Sequence, residues 1–225
     1  MIEGSEVNAN SRRPRCDCRA TAHATRFVVL TGGPGAGKTA VLEIARRNFC
    51  KHVAVLPEAA GIVFGGGFWR KDTPPARRAA QRAIFCVQRE VERLLIEEQE
   101  TALALCDRGT VDGLAYWPDS EATFWRDLRT SRELEQGRYA AVIHLKSPSE
   151  TAGYNHRNPL RTESAAEAHR IDDRILAAWE GHPHLYVVES TANFLDKARA
   201  AMELIRTQLP QCCRQHDISM EISST

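Results

Sequence analysis

The stretch FVVLTGGPGAGKTAVLEIA, Phe27–Ala45, runs from an apolar segment through a glycine-rich loop into a helical pattern. Within it, Gly32-x-x-x-x-Gly37-Lys38-Thr39 has the spacing of a phosphate-binding loop. Glycines let the backbone curl until successive N–H groups converge on phosphate oxygens. The helix that follows adds the positive end of its dipole. On this reading Gly32, Gly33, Pro34, Gly35, Ala36 and Gly37 form the cradle, Lys38 reaches the β- and γ-phosphates, and the Thr39 hydroxyl ligates magnesium. Ala40 is assigned no role. The strand before and the helix after supply the context this loop requires, and a loop so rich in glycine is costly to keep for packing alone.

Working outward, the pattern alternates. Apolar runs of strand length occur at 26–31, 52–56, 101–106, 140–146 and 185–189, each nearly continuous, as strands buried on both faces should be. Helical patterns separate them, at about Lys38–Phe49, Pro75–Glu100, Ala165–Glu180 and Asn193–Gln208. Thr73 before Pro74 and Pro75 reads as a helix start. Ser164 with Glu167 reads as a capping box and Gly181 as a helix stop. The long second helix carries Ile84, Val87, Val91, Leu94 and Leu95 as an apolar stripe. Strands alternating with helices predict an α/β fold with a parallel sheet. The ordered domain is expected over 26–209, between a solvated head at 1–25, which lacks the apolar core of a secretory signal, and a flexible tail at 210–225.

Composition sets the remaining bounds. The chain has 225 residues, 43% hydrophobic and 26% charged, ordinary for one globular domain. A net charge of +1 gives no electrostatic reason to expect nucleic acid or an acidic membrane as partner. No apolar run approaches the roughly 20 residues that span a bilayer. Seven cysteines match no disulfide framework, and Cys86 and Cys106 lie in apolar runs as expected of buried thiols, which suits a reducing cytoplasm. Cys16 and Cys18 find no second pair at metal-ligand spacing.

Beyond the loop, charged groups gather where strands end, the functional edge of an open parallel sheet. Asp107 closes an apolar strand and is followed by Arg108, so it is the candidate second magnesium ligand. Glu58 closes the second strand, where it could accept a proton from an attacking hydroxyl or bind an acceptor. After the fourth strand, Arg157 and Arg161 are candidates for a lid that clamps phosphate, while Arg170 and Arg174 share one helical face that could equally be solvated and paired with Glu167, Asp172 and Asp173. The segment 61–75 is expected to be a glycine-rich loop, with Phe68 or Trp69 either stacking on an acceptor ring or packing inward. His144 is expected to be a packed core histidine.

TGGPGAGKT, then LPEAA, then CDRGTVDGLAYW, then an arginine-bearing segment before a helix, resembles the NadR and TRPL-translocation-defect type of AAA (P-loop NTPase) domain over roughly 26–208. That group includes a ribosylnicotinamide kinase domain. The resemblance implies a three-layer, kinase-like P-loop fold with a five-stranded, mostly parallel sheet and an arginine-containing lid. It implies ATP or GTP with magnesium on Gly32–Thr39, Asp107 at the metal, Arg108 on phosphate or substrate, Glu58 as acceptor-binding or base carboxylate, Arg161 on the lid, and Thr191–Phe194 beside the nucleotide base. The expected partners are a nucleotide and a small-molecule acceptor, in the cytoplasm. The expected activity is phosphoryl transfer. The other reading is a nucleotide-binding regulator, although TANFLDK (191–197) does not supply the Asn-Lys-x-Asp base-reading motif of a conventional GTPase. A nucleic-acid end kinase lacks the basic patch it would need.

Overall fold

The computed structural model describes residues 16, 18–20, 22–147, 165–191 and 193–214. The apolar runs become β1 (Arg26–Thr31), β2 (Val53–Leu56), β3 (Leu103–Asp107), β4 (Tyr139–Leu145) and β5 (Leu185–Val188). They form one five-stranded sheet in the order β2-β3-β1-β4-β5. Every neighbouring pair is parallel, so the expected mostly parallel sheet is wholly so. Parallel strands need crossover connections, and helices on both faces supply them.

The helices are α1 (Lys38–Asn48), α2 (Ala59–Gly65), α3 (Pro74–Glu98), α4 (Glu121–Leu128), α5 (Arg132–Gln136), α6 (Ala165–Ala178) and α7 (Phe194–Gln208), with a 3-10 helix at Thr110–Tyr116. Two apolar layers follow from the alternation of side chains along each strand. On one face Val28, Leu30, Leu103 and Leu105 pack with Val41, Leu42, Ala201 and Ile205 of α1 and α7. On the other, Phe27, Val29, Ala104 and Cys106 pack with Ile175 and Trp179. The result is a three-layer α/β structure of the P-loop NTPase kind.

Several expectations need correction. The segment 61–75 is not all loop: α2 occupies Ala59–Gly65, because Ala-Ala-Gly-Ile-Val-Phe contains no breaker strong enough to stop a short helix capped at Glu58. Thr73 does sit at the start of α3 with proline in its first turn, but its side chain makes no capping bond. Along α3 the buried positions are Ala80, Gln81, Gln88 and Glu92, while Leu94 is 52% exposed and Cys86 is exposed. Val91 and Leu95 of the expected stripe do pack against the core, and beside them the inward face carries a buried ion network: Glu92 accepts hydrogen bonds from Gln88 Nε2 (2.7 Å) and the Tyr139 hydroxyl (2.8 Å) and pairs with Arg138, which also holds Glu135 at 3.0 Å. Cys106 is buried and His144 is fully buried on β4.

No helix among the described residues is long and apolar enough to cross a membrane.

Candidate functional site

The glycine-rich loop rises from β1, the central strand, and closes into α1. It takes the left-handed backbone that only glycine adopts without strain at Gly35 (φ 79°) and Gly37 (φ 92°). A Cβ at Gly37 would stand 2.5 Å from the Phe194 ring, and one at Gly33 would stand 2.5 Å from Ser147 Oγ, so both are glycine for space as well as for backbone or close approach. Lys38 curls back over the loop and donates to the Gly32 and Gly33 carbonyls at 2.9 and 3.1 Å. Burial, with the Arg108 charge beside it, lowers its ammonium pKa to about 8. Thr39 is exposed in the first turn of α1.

Sheet pairing carries the second group to the loop. β3 lies beside β1 with Asp107 opposite Leu30, so Asp107 emerges next to the start of the loop. Arg108 follows in the left-handed region (φ 71°), an unusual conformation for a residue with a side chain, held by its N–H to the Leu30 carbonyl at 3.1 Å. That twist aims its guanidinium at Glu58, where Nε donates to Oε1 at 2.7 Å, and over the Tyr116 ring. Three residues chosen separately from the sequence, Glu58, Asp107 and Arg108, therefore meet in one cluster, with Lys38 in its field. Arg108 Nη1 and Asp107 Oδ1 are both buried without a hydrogen-bond partner. A buried polar atom left unpaired costs about 1–3 kcal/mol. Burial, opposed by Lys38 and reinforced by Glu58, raises the Asp107 carboxyl above its ordinary range. An acceptor oxygen with no hydrogen-bond partner can take a cation, and a guanidinium whose Nη1 makes only a 3.6 Å ion pair with Asp112 Oδ1 keeps N–H capacity for phosphate, so the residues present fit magnesium nucleotide.

Three anchoring residues were not singled out in the sequence. Asp112 is buried and accepts from Gly109 N–H (2.8 Å), Trp179 Nε1 (3.2 Å) and the Thr31 hydroxyl, tying the DRGTVDG turn to β1 and α6. Lys197 of α7 donates to the Ala36 carbonyl at 2.9 Å and to the Lys146 carbonyl, pinning the loop from behind. Asp172 of α6 accepts the Gly33 N–H at 2.6 Å and lies 3.1 Å from His144 Nε2 and 3.4 Å from Lys146. Apart from the Gly109–Asp112 turn, these contacts have no local sequence signature, since each joins residues far apart in the chain.

The arginines after β4 divide. Arg157, Arg161 and Ser164, the residue expected to cap α6, lie outside the described residues. Arg170 makes a solvent-facing pair with Glu167 at 3.0 Å, and Arg174 donates to the Trp117 carbonyl at 3.3 Å. Asp172 does not join that face; it turns to the loop.

Burial alone would raise the Asp172 carboxyl, but His144, the Gly33 N–H and Lys146 outweigh it and hold the pKa at about 2, below the ordinary 3.8. The stability this contributes is present above pH 3.8 and is lost as pH falls through about 2. Asp172→Asn should therefore lower unfolding free energy at neutral pH by about 2 kcal/mol and flatten the acid limb of the stability curve. Urea unfolding at a series of pH values checks this; equal curves for the two proteins would refute it.

The loop, the parallel sheet and the strand-end aspartate define a nucleotide-binding P-loop domain. A family model described as an AAA domain matches residues 27–197, and the chain belongs to that family. No curated protein matches the chain.

Proposed function

We propose that the protein is an ATP-dependent small-molecule kinase, acting within a unit of residues 26–209 that transfers a γ-phosphate to an acceptor hydroxyl. The observation that carries this reading is the cluster at the strand ends: Lys38, Glu58, Asp107 and Arg108 together, with Asp107 Oδ1 buried without a hydrogen-bond partner and Arg108 Nη1 held only by a 3.6 Å ion pair to Asp112. Gly32–Thr39 would hold the triphosphate, and Thr39 with Asp107 would hold magnesium. Magnesium held there would supply neutralising charge to the triphosphate. Arg108 is placed to balance charge on a transferring phosphoryl group, and Glu58 to orient or deprotonate the acceptor. Arg161 would close the site from the lid. Phe194, 39% exposed at the start of α7 and against Gly37, offers an aromatic face for the nucleotide base. The exposed Trp69 and Phe68 border an open cavity of about 350 Å³ with Gly67, Lys71, Ala76 and Ala79. Its apolar lining suits an acceptor with a flat ring, such as a nucleoside.

Purified protein with ATP and magnesium should release ADP in proportion to one added acceptor from a panel of nucleosides and related metabolites. Tight ATP binding with no acceptor-dependent release across that panel would overturn the kinase reading. It would favour a nucleotide-dependent regulator using ATP or GTP, a reading that one observation supports: Arg108 already occupies the Glu58 carboxylate. Glu58→Gln separates the two roles. As acceptor base or orienter its loss should lower turnover by about 100-fold or more while leaving ATP affinity in place. Equal loss of both, or of neither, removes Glu58 from the reaction.

A further inference from the structure

At the opposite end of the sheet from the nucleotide loop, where strands begin, four side chains converge from three distant parts of the chain. Cys16 precedes β1, Cys50 and His52 lead into β2, and Cys213 lies in a 3-10 turn, Gln211–Cys213, after α7. Their ligand atoms all lie within 4.8 Å of one another. Cys50 Sγ is 3.6 Å from Cys213 Sγ, and Cys16 Sγ is 3.9 Å from Cys213 Sγ. His52 Nδ1 is 3.9 Å from Cys50 Sγ and 3.8 Å from Cys213 Sγ. We propose that Cys16, Cys50, His52 and Cys213 form a structural zinc site of the Cys₃His type.

The distances carry the assignment. A zinc ion with Zn–S near 2.3 Å and Zn–N near 2.0–2.1 Å in a tetrahedron places its sulfurs about 3.8 Å apart and sulfur from nitrogen about 3.6 Å. The four separations above scatter around those values. They are too long for a sulfur–sulfur bond of about 2.05 Å. The donor set, three soft thiols and an imidazole, selects zinc over magnesium or calcium. Cys50, His52 and Cys213 are buried and Cys16 is half-buried, so the site is closed with all four positions taken by protein, as structural rather than catalytic zinc requires.

Local folding sets up the geometry before any ion is considered. A turn closed by Val53 N–H to the Cys50 carbonyl (3.1 Å) brings Cys50 and His52 together. The His52 carbonyl is fixed by Ala102 and Leu103 N–H at 2.8 and 3.2 Å, and its ring packs against His23 with centroids 4.7 Å apart. Cys213 N–H bonds the Pro210 carbonyl at 2.9 Å, which fixes the C-terminal turn. The N-terminal stretch is tied in by His23 N–H to the Gln99 carbonyl (2.7 Å) and Thr25 Oγ1 to the Thr101 carbonyl (2.7 Å). A second grouping, Cys18, His23 and His52, offers only three ligands, two of them half-buried, and makes the less closed set. Zinc at the four-ligand site would clamp the segments before β1 and after α7 to the entrance of β2, joining both ends of the domain far from the phosphate loop.

The full chain purified without chelator from zinc-supplemented cells should carry one zinc per molecule, released in step with mercurial titration of its thiols. Cobalt(II) in its place should give the intense visible absorption of a tetrahedral thiolate site. Cys213→Ser and Cys16→Ser should lose the stoichiometric metal, and Cys86→Ser, an exposed thiol elsewhere, should keep it. The proposal is overturned by wild-type protein that takes up no zinc, by a Cys50–Cys213 disulfide in mass spectra of protein kept under reducing conditions, or by metal retained in both serine variants. The wild-type cobalt spectrum decides the matter even where a variant fails to fold.

Discussion

Replacing Lys38 with alanine is expected to weaken ATP binding by about 2–5 kcal/mol, roughly 30-fold to several-thousand-fold in dissociation constant. The ammonium is buried within the curl of the loop and already held by two loop carbonyls, so it meets a phosphate without first ordering a long side chain. Alanine removes both the charge and the brace. Turnover should fall further, by about 100-fold or more, where the same charge acts on the transferring group. The pH dependence gives an independent check. Lys38 has its pKa lowered to about 8, so its neutral form builds up as pH rises through 8, and binding a polyphosphate then requires proton uptake. ATP affinity of the wild type should drop across that range, and the alanine variant should be insensitive to it. Calorimetry in buffers of different ionisation enthalpy reads the proton directly. Unchanged affinity and activity in the variant would remove the phosphate-binding role from this loop.

Arg138→Leu should cost about 3–5 kcal/mol of stability, the largest loss expected from a residue remote from the loop. Glu92 is fully buried and Glu135 nearly so, and Arg138 faces both. Without the guanidinium, two carboxylates share a dry pocket with the Tyr139 and Thr110 hydroxyls and the partial help of Arg89. Like charges in low dielectric are costly, and no single proton solves the problem for both. Urea unfolding measures the loss. Arg93→Leu, which breaks an exposed pair with Glu97, is the control and should change stability by no more than about 0.5 kcal/mol. Pairing Arg138→Leu with Glu92→Gln should recover part of the deficit, because one of the two uncompensated charges goes with it. A loss below about 1 kcal/mol for Arg138→Leu alone would show the network to be solvated.

What the sequence made legible follows a physical division. Phe27–Leu30 and Leu103–Cys106 read as strands because burial on both faces demands an unbroken apolar run, and the phosphate loop reads because its chemistry is written in adjacent residues. Glu58, Asp107 and Arg108 could be chosen one at a time, since each follows a strand. Their meeting depended on β3 lying beside β1 and on the left-handed turn at Arg108, which no spacing rule reports. The helix Ala59–Gly65 was hidden because it is too short for a periodic pattern and is rich in glycine at its end. Leu94 misled for the opposite reason: the spacing was helical, and Val91 and Leu95 do pack inward, but Gln88 and Glu92 hold the centre of the buried face and leave the leucine exposed. Asp172, Lys197 and the Cys16–Cys50–His52–Cys213 group were invisible because each joins residues that only the finished fold brings together.

The order of the strands has a consequence for the growing chain. β1 precedes the other strands of the sheet in the chain, yet its two neighbours are β3 and β4, and Phe27 waits for Ala104 on one side and Tyr139 on the other. The phosphate loop is thus encoded early and supported late. Until β4 has left the ribosome, the strand beneath the loop has an open edge, and Phe27 and Val29 still lack the layer that Ile175 and Trp179 complete, although Val28 and Leu30 already have α1. A nascent chain ending before β4 carries the whole nucleotide motif without the rigid base that aims it. Such a chain leaves an open strand edge and apolar surface exposed, the features that make partly folded chains prone to aggregate.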